Sequence, residues 1–480
     1  MTQNSAPSPQ AASNKPPKFF ARRKKIHPRK VSGRYRRLKW TVMAVTLAIY
    51  YMAPLIRWDR GPTAPDQAIL IDLPARRAYW FFIEIWPQEV YYLTAILVFS
   101  AIALFFVTSL LGRVWCGYFC PQTVWTDLYI AVENLVQGDR VARQRLDKMS
   151  LCIEKAWKKG LTHFLWLLIA FCTGGAFVFY FNDAPTLWQQ ILSFNVSNTV
   201  MIFVAALTFS TYLMAGFARE QVCTYMCPYA RFQSAMFDKD TLIIGYDSLR
   251  GEPRGKHKAG TSWEGHGHCI DCTACVQVCP MGIDIRQGLQ MECIACGLCV
   301  DACNDIMDKI NLPRGLIRYD TETRIETCQQ DSARLHILRP RTFYYIAVLC
   351  LIAGLVIYGQ MNRKPFELHA LHNRNPLMVR LADGHIRNGY EIKILNKTHE
   401  DTSFSLRVEN LQNARVEMRG AGRLTPENLN VQANHVGTFH AFISAPEQKE
   451  SPLDIIFIVK NNRAGTEDRY ESMFISRDAR

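Results

Sequence analysis

Five apolar runs break up an otherwise polar chain of 480 residues: roughly Trp40–Ile56, Val90–Leu111, Leu161–Phe181, Thr199–Phe217 and Thr342–Tyr358. Each is about 17–22 residues long, close to what ~30 Å of hydrocarbon asks of a helix rising ~1.5 Å per residue. Water is absent there, so each run must satisfy its own N–H and C=O groups, which a helix does. Trp40, Tyr50, Tyr51, Tyr91 and Tyr92 stand at run ends, where amphipathic rings mark a lipid–water boundary. Buried helices of a soluble protein are the alternative reading, and the charge pattern speaks against it.

The formal net charge is +14, and the basic residues come in blocks. One block, Arg22 to Lys39, precedes the first run; another, Arg140 to Lys159, lies between the second and third; a third, Arg219 to Lys258, follows the fourth. In a soluble chain such blocks would point to nucleic acid. Here each abuts an apolar run, so they set orientation in a lipid bilayer instead, and no nucleic-acid partner is expected. The basic segments then face the cytoplasm of a bacterial cell, and the loops at about 57–89 and 182–198 face the periplasm. Five spans carry the C-terminal region across the inner membrane to that far side. Residues 1–38 have no apolar core of a signal peptide and read as a disordered basic cytoplasmic tail. Tyr79–Trp86 is too short to span and reads as an interfacial helix.

Of 16 cysteines, eight lie between Cys269 and Cys303, and none lies beyond Cys350. A secreted disulfide scaffold is not distributed this way. Cys269, Cys272, Cys275 and Cys279 are spaced C-x2-C-x2-C-x3-C, followed by Pro280; Cys293, Cys296, Cys299 and Cys303 repeat the spacing, with Asn304 where a proline is usual. This is the ligand run of bacterial two-cluster ferredoxins, in which the fourth cysteine of each run serves the other cluster. Cys269, Cys272, Cys275 and Cys303 are thus assigned to one [4Fe–4S] cluster, and Cys293, Cys296, Cys299 and Cys279 to a second. Paired zinc knuckles fit three cysteines at x2, x2 spacing less well.

Two further pairs share the pattern C-x3-C-P: Cys116 and Cys120 before Pro121, and Cys223 and Cys227 before Pro228. Each follows a span on the side of the cluster run. Residues i and i+4 share a helix face, so each pair is expected to present two thiols together, as one four-thiol site or two two-thiol sites. Thiolates suit Cu(I), zinc and iron–sulfur clusters alike. His266 and His268 read as part of a polar linker rather than a metal site. Cys172 and Cys350 read as packing within spans; Cys152 and Cys328 have no spacing partner and no assigned role. No G-x-G-x-x-G or Walker A loop is present, which argues against a nucleotide-dependent activity.

Beyond residue 360 the period changes to two, as in Tyr390–Leu395, Phe404–Val408 and the buried-strand run Asp454–Val459. Short strands punctuated by Asn461-Asn462 and Ala464-Gly465 imply an immunoglobulin-like sandwich without a disulfide. Asn396-Lys-Thr398 matches a glycosylation sequon by chance.

Taken together, the basic tail, five spans, two C-x3-C-P pairs, doubled cluster run and terminal strands resemble the CcoG family, the FixG- or RdxA-type cytochrome c oxidase accessory proteins, from about residue 35 to the end. Parts also resemble polyferredoxin-like membrane proteins of nitrate and nitrous oxide reductase systems. The resemblance implies a membrane-bound cupric reductase supporting assembly of a cbb3-type oxidase, with copper as substrate or transient ligand. Cys116, Cys120, Cys223 and Cys227 would be its redox and candidate copper site. Oxidase assembly factors or copper chaperones, an unidentified electron donor and a second copy of the chain are its expected partners. An electron wire from a cytoplasmic or quinol donor to a partner protein is the competing expectation. The expected organisation is a tail (1–38), a four-span membrane domain (39–258), a two-cluster α+β ferredoxin-type domain (259–315), a connector (316–341), a fifth transmembrane helix (342–359) and a periplasmic Ig-like domain (360–480).

Overall fold

The computed structural model describes residues 25–257, 262–326, 339–419, 425–448 and 450–477. Five helices are long and apolar enough to cross a membrane: Arg34–Leu55, Pro87–Leu111, Ile153–Val178, Asn198–Ala218 and Pro340–Met361. Their outer surfaces expose Leu97, Phe164, Phe203, Leu351 and Leu355, an arrangement that water would penalise and lipid does not. The first helix begins at Arg34, and residues 25–33 are laid along the protein: Arg29 N–H donates to Gln277 O and Lys30 N–H to Asp139 Oδ1. This corrects the expectation of a disordered tail for residues 25–38; residues 1–24 lie outside the described residues, as does Cys328.

The chain forms two compact units, each assembled from separated segments. The first is drawn from within Met1–Leu47, Leu104–Gly174 and Ala205–Arg339. It holds the cluster run, both C-x3-C-P pairs and the two-stranded ladder of β4 (Ile243–Tyr246) and β5 (Ile317–Asp320). Residues 317–326 are therefore part of the folded cysteine domain rather than a connector, while 327–338 lie outside the described residues. One core of this unit packs Ile244, Tyr246, Met307, Leu316 and Ile317 around Cys269, Cys275 and Cys303.

The second unit is drawn from Ala48–Ala103, Gly175–Val204 and Pro340–Arg480. Its C-terminal part is an all-β, Ig-like sandwich. One sheet runs β10 (Arg415–Arg419), β12 (His435–Ala445), β8 (Ile386–Asn396), β6 (Phe366–His372), with β7 (Val379–Arg380) also on β8; the other runs β11 (Leu429–Val431), β9 (Thr402–Glu409), β13 (Leu453–Asn461), β14 (Glu467–Phe474). Alternate residues of both sheets fill one core, among them Tyr390, Ile392, Ile394, Phe404, Phe457 and Phe474, and all ladders are antiparallel. Asn396 is fully buried, and its amide donates to Glu400 O, Val431 O and Gln432 O, so the apparent sequon is a structural amide that closes a turn.

In place of an interfacial helix over Tyr79–Trp86 there is a three-stranded sheet, β1 (Ile69–Asp72), β2 (Arg77–Trp80) and β3 (Ile83–Ile85). Arg76 and Phe81 adopt φ of 55° and 51°, turns that an α-helix cannot contain. The sheet is tied to the sandwich by charge: buried Glu89 accepts from Arg363 Nε (2.8 Å) and Lys397 Nζ (2.7 Å), and Glu84 Oε1 accepts from Asn434 Nδ2 (2.8 Å). Cys172 and Cys350 are exposed on their helices rather than packed.

Candidate metal centre

Backbone shape gathers the cysteines. Asp271 and Thr273 in the first run take φ of 53° and 54°; Ala295 and Gly297, at the equivalent places in the second, take 50° and 76°. Only glycine enters this region freely, so its recurrence at matched positions shows a loop bent to one purpose: turning three successive thiols inward. A helix then carries each run onward, Ala274–Val278 in the first and Leu298–Lys309 in the second.

Cys269, Cys272, Cys275 and Cys303 line one cavity, closed by Tyr246, Met307 and Leu316. Cys279, Cys293, Cys296 and Cys299 line another with Ile244, Met281 and Leu298, and Cys275 borders both. The last cysteine of each run lies with the first three of the other. Burial pushes Cys275, Cys279 and Cys303 up to about 12 and Cys293 up to about 11. Such thiols become thiolates only beside a cation, which inverts the local preference. Backbone N–H groups are already aimed at sulfur: Met281 and Ile283 at Cys279, Ala295 at Cys293, Ile317 at Cys303. An all-sulfur, dry cavity with N–H donors to its sulfurs fits an iron–sulfur cubane, whose potential those donors tune. Among the described residues, no three His, Cys, Asp or Glu side chains are drawn tightly around a single point; the cysteines line walls.

The C-x3-C-P pairs share a second local device. Trp115–Phe119 and Val222–Met226 are π-helical turns, with Cys120 N–H reaching back to Trp115 O (2.9 Å) and Cys227 N–H to Val222 O (2.8 Å). The expected α-helical i, i+4 face is thus corrected to a wider turn. Pro121 and Pro228 cannot donate and disfavour α geometry in the residue before. Cys120 and Cys227 are accordingly extended (ψ 126° and 110°), and each proline opens a new helix, Pro121–Val136 and Pro228–Met236. Cys223 lies near enough to the other three thiols to feel them: it is pushed up to about 12 by burial, reinforced by Cys120, Cys116 and Cys227, and Cys116 is pushed up to about 11 by burial and Cys120.

These turns lie directly on the cysteine domain. A Cβ on Gly117 would sit 2.6 Å from Ile294 O and 2.9 Å from Ala295 O. Tyr118 Oη donates to Cys296 O (3.1 Å) and Tyr319 Oη to Ala295 O (2.5 Å), while the Arg113 guanidinium donates to Met291 O and Ala230 O. Cys116 Sγ donates to Gln233 Oε1 at 3.2 Å and packs on the core containing Val278, Ile294 and Cys296. Cys223 lines a groove with Pro280, Met281 and Ile294. Met281 and Ile294 also line the second cysteine cavity, so that cavity and the C-x3-C-P thiols share a wall. Arg113 and Tyr319 lie in no sequence motif; Gly117 and Tyr118 lie inside the C-x3-C-P motif, where the glycine is a sign of a close approach. His266 is exposed, and His268 Nδ1 accepts from Arg250 Nε at 2.8 Å, an ordered structural contact.

The fold and this centre define a polytopic membrane protein of the iron–sulfur class, with its clusters in a ferredoxin-type domain. Family models agree: residues 218–322 match a 4Fe-4S dicluster domain, 93–136 a 4Fe-4S binding domain, and 356–477 the IG-like fold at the C-terminal of FixG. The chain is 42% identical to the nitrogen fixation protein FixG of Rhizobium meliloti, over 95% of this chain and 93% of that one. It is 44% identical to protein RdxB of Cereibacter sphaeroides, over 96% and 98%. A crystal structure of a FixG-related protein from Vibrio parahaemolyticus aligns with 24% of this chain and 99% of its own at 20% identity and a TM-score of 0.21. The chain belongs to the FixG/RdxA family.

Proposed function

We propose that the chain is a membrane iron–sulfur oxidoreductase that reduces Cu(II) to Cu(I) for maturation of a cbb3-type cytochrome oxidase. Cys269, Cys272, Cys275 and Cys303 hold one [4Fe–4S] cluster and Cys279, Cys293, Cys296 and Cys299 the other; the clusters supply one-electron transfer. The observation that carries this reading is the shared wall of Met281 and Ile294 between the second cysteine cavity and the groove holding Cys223. Cys116, Cys120, Cys223 and Cys227 form the copper-reducing site. Soft thiolates favour Cu(I) over Cu(II) and so draw the couple towards reduction. In this reading the cysteine domain faces the cytoplasm and the sandwich faces the periplasm, where it contacts assembly partners; the basic loops support that orientation.

A second reading has a specific support of its own. The 4Fe-4S binding model spans Cys116 and Cys120, and the dicluster model extends over Cys223 and Cys227. In that reading the four thiols hold iron–sulfur rather than copper, and the protein is a wire to a protein acceptor.

The test is Cu(II) reduction by the anaerobic, dithionite-reduced protein, with each of the four cysteines replaced by alanine in turn. Loss of Cu(I) formation with both ferredoxin-type EPR signals retained supports the reductase. Undiminished reduction in all four variants removes those thiols from the copper chemistry. No reduction by the unaltered protein leaves the wire.

A further inference from the structure

A cavity of about 310 Å³ shares Arg219 with the groove that holds Cys223 and has no part in the chemistry above. It is lined by Glu133, His163, Trp166, Gly216, Phe217 and Arg219, with Lys25 and Lys159 at its rim. Its size is at the lower end for small-molecule sites, which run ~300–1,000 Å³ and combine aromatic walls with a few polar groups.

The walls are rings. His163 stacks on Phe217 at 13° and 5.9 Å between centroids, and Trp166 stands edge-on to both, at 5.1 Å and 6.3 Å. Gly216 admits the Trp166 ring, which would lie 3.2 Å from a Cβ there. The charges around the cavity are already spent on one another. Glu133 is held by Arg219 (2.7 Å) and Arg143 (2.9 Å), and Asp147 by Lys25 and Lys159 (2.7 Å each). An interior of aromatic faces and paired ions suits a neutral aromatic ligand better than a phosphate head group. His163 supplies a polar atom to orient it. His163 Nδ1 is engaged by Tyr212 Oη at 3.0 Å, which leaves Nε2 for a ligand.

The cavity also has an apolar approach and a route onward. His163 and Trp166 sit on the apolar helix Ile153–Val178, where Phe164 and Leu167 are 62% and 45% exposed, and Phe217 ends the next such helix at 44%. Arg219 lines both this cavity and the groove containing Cys223, Pro280 and Met281.

We propose that this cavity binds the head group of a membrane quinone and is the entry point for reducing equivalents. The proposal deepens the oxidoreductase reading and rests on it. With Nδ1–H donating to Tyr212, Nε2 accepts from a hydroquinone hydroxyl; in the other tautomer Nε2–H donates to a quinone carbonyl, so one imidazole serves both redox forms. Oxidation breaks the two O–H bonds of the hydroquinone and leaves the quinone. One proton goes to His163 Nε2 and the other to water at the lysine rim. The two electrons leave singly, to one-electron acceptors of the iron–sulfur class.

The experiment uses the full-length protein with its clusters intact, in lipid nanodiscs. Binding of decylubiquinone is read by calorimetry, without turnover, and an azido-quinone is photolabelled and mapped by mass spectrometry. The expected result is saturable binding, labels on the peptides bearing His163–Trp166 or Gly216–Arg219, and affinity at least tenfold weaker in His163→Leu and Gly216→Val. His163→Gln, which keeps a polar partner, restores part of it. Dithionite-reduced EPR signals stay unchanged throughout, which separates a local effect from misfolding. Equal affinity in both cavity variants, labels elsewhere, or a resident phospholipid that decylubiquinone does not displace would overturn the site. No quinone binding by the unaltered protein, with its dithionite-driven copper reduction intact, sinks this inference alone; quinone binding without copper reduction sinks only the copper reading.

Discussion

A carboxylate taken out of water is stable only where its charge is met, and Glu133 is met twice. It is 4% exposed and contacts Arg219 and Arg143 at 2.7 and 2.9 Å. Burial acts to raise its pKa, but the two guanidiniums outweigh burial and hold it below its ordinary 4.5. A carboxyl with a depressed folded-state pKa stabilises above its unfolded value, and that stability is lost as pH falls through the folded one. Glu133→Gln leaves two buried cations without an anion, a change that costs about 3–5 kcal/mol. Thermal unfolding in detergent should show that gap constant from neutral pH down to the ordinary carboxylate range and shrinking below it. A gap that widened in acid would mean Glu133 is protonated in the native protein. Asp301 acts as a cap across a long chain separation. Its two oxygens accept from the backbone N–H groups of Tyr35 (3.2 Å) and Arg36 (2.7 Å) in the first turn of the first span helix. Free N–H groups at a helix start are costly to leave unmet. Asp301→Ala should therefore destabilise that turn by about 1–2 kcal/mol, seen as faster amide exchange at Tyr35 and Arg36 with the rest of the helix unchanged.

At the scale of elements, each C-x3-C-P pair is a π turn followed by a proline-started helix, and Gly117 makes the first of them fit. A methyl group there meets carbonyl oxygens of Ile294 and Ala295, backbone atoms that cannot swing aside. Gly117→Ala should push the turn off the cysteine loop. It is expected to cost about 1–3 kcal/mol and to alter the EPR spectrum of the cluster assigned to Cys293, Cys296 and Cys299, while the other cluster keeps its signal. An unchanged spectrum would show that the two elements are not in firm contact. The cysteine runs were legible because all their ligand spacing is local, and the sandwich strands because a two-residue period survives in Tyr390–Leu395 and Phe404–Val408. The π turns were not: an extra residue per turn leaves no trace in a C-x3-C spacing, which an α-helix would satisfy as well. The strands at residues 77–85 were hidden because the aromatic run Tyr79–Trp86 has no alternation, and its partner β1 lies across a turn whose φ > 0 residue is an arginine. The Asp301 cap joins residues 265 and 266 apart, beyond any pattern a single sequence displays.

For the whole molecule, thiol distribution and span count make the same statement. Eight cysteines crowd one segment, and the chain beyond Cys350 has none, as expected if the first faces a reducing compartment and the second an oxidising one. Basic residues collect in the tail and in the loops after the second and fourth spans, and positive charge is retained on the cytoplasmic side. On the orientation proposed above, a fifth crossing puts the C-terminal region on the opposite side. Cys152 is exposed in the loop between the second and third apolar helices, and Lys460 is an exposed position on β13. In right-side-out vesicles a membrane-impermeant maleimide should label Lys460→Cys and leave Cys152 unlabelled. In inverted vesicles the pattern should exchange. Labelling of both positions from one side would require an even number of crossings between them, and one of the three apolar helices after Cys152 would then have to lie outside the bilayer. Pro340–Met361 would be the least tenable of these to remove, because only 6% of its apolar window is buried within the protein, and without lipid around it that surface would face water.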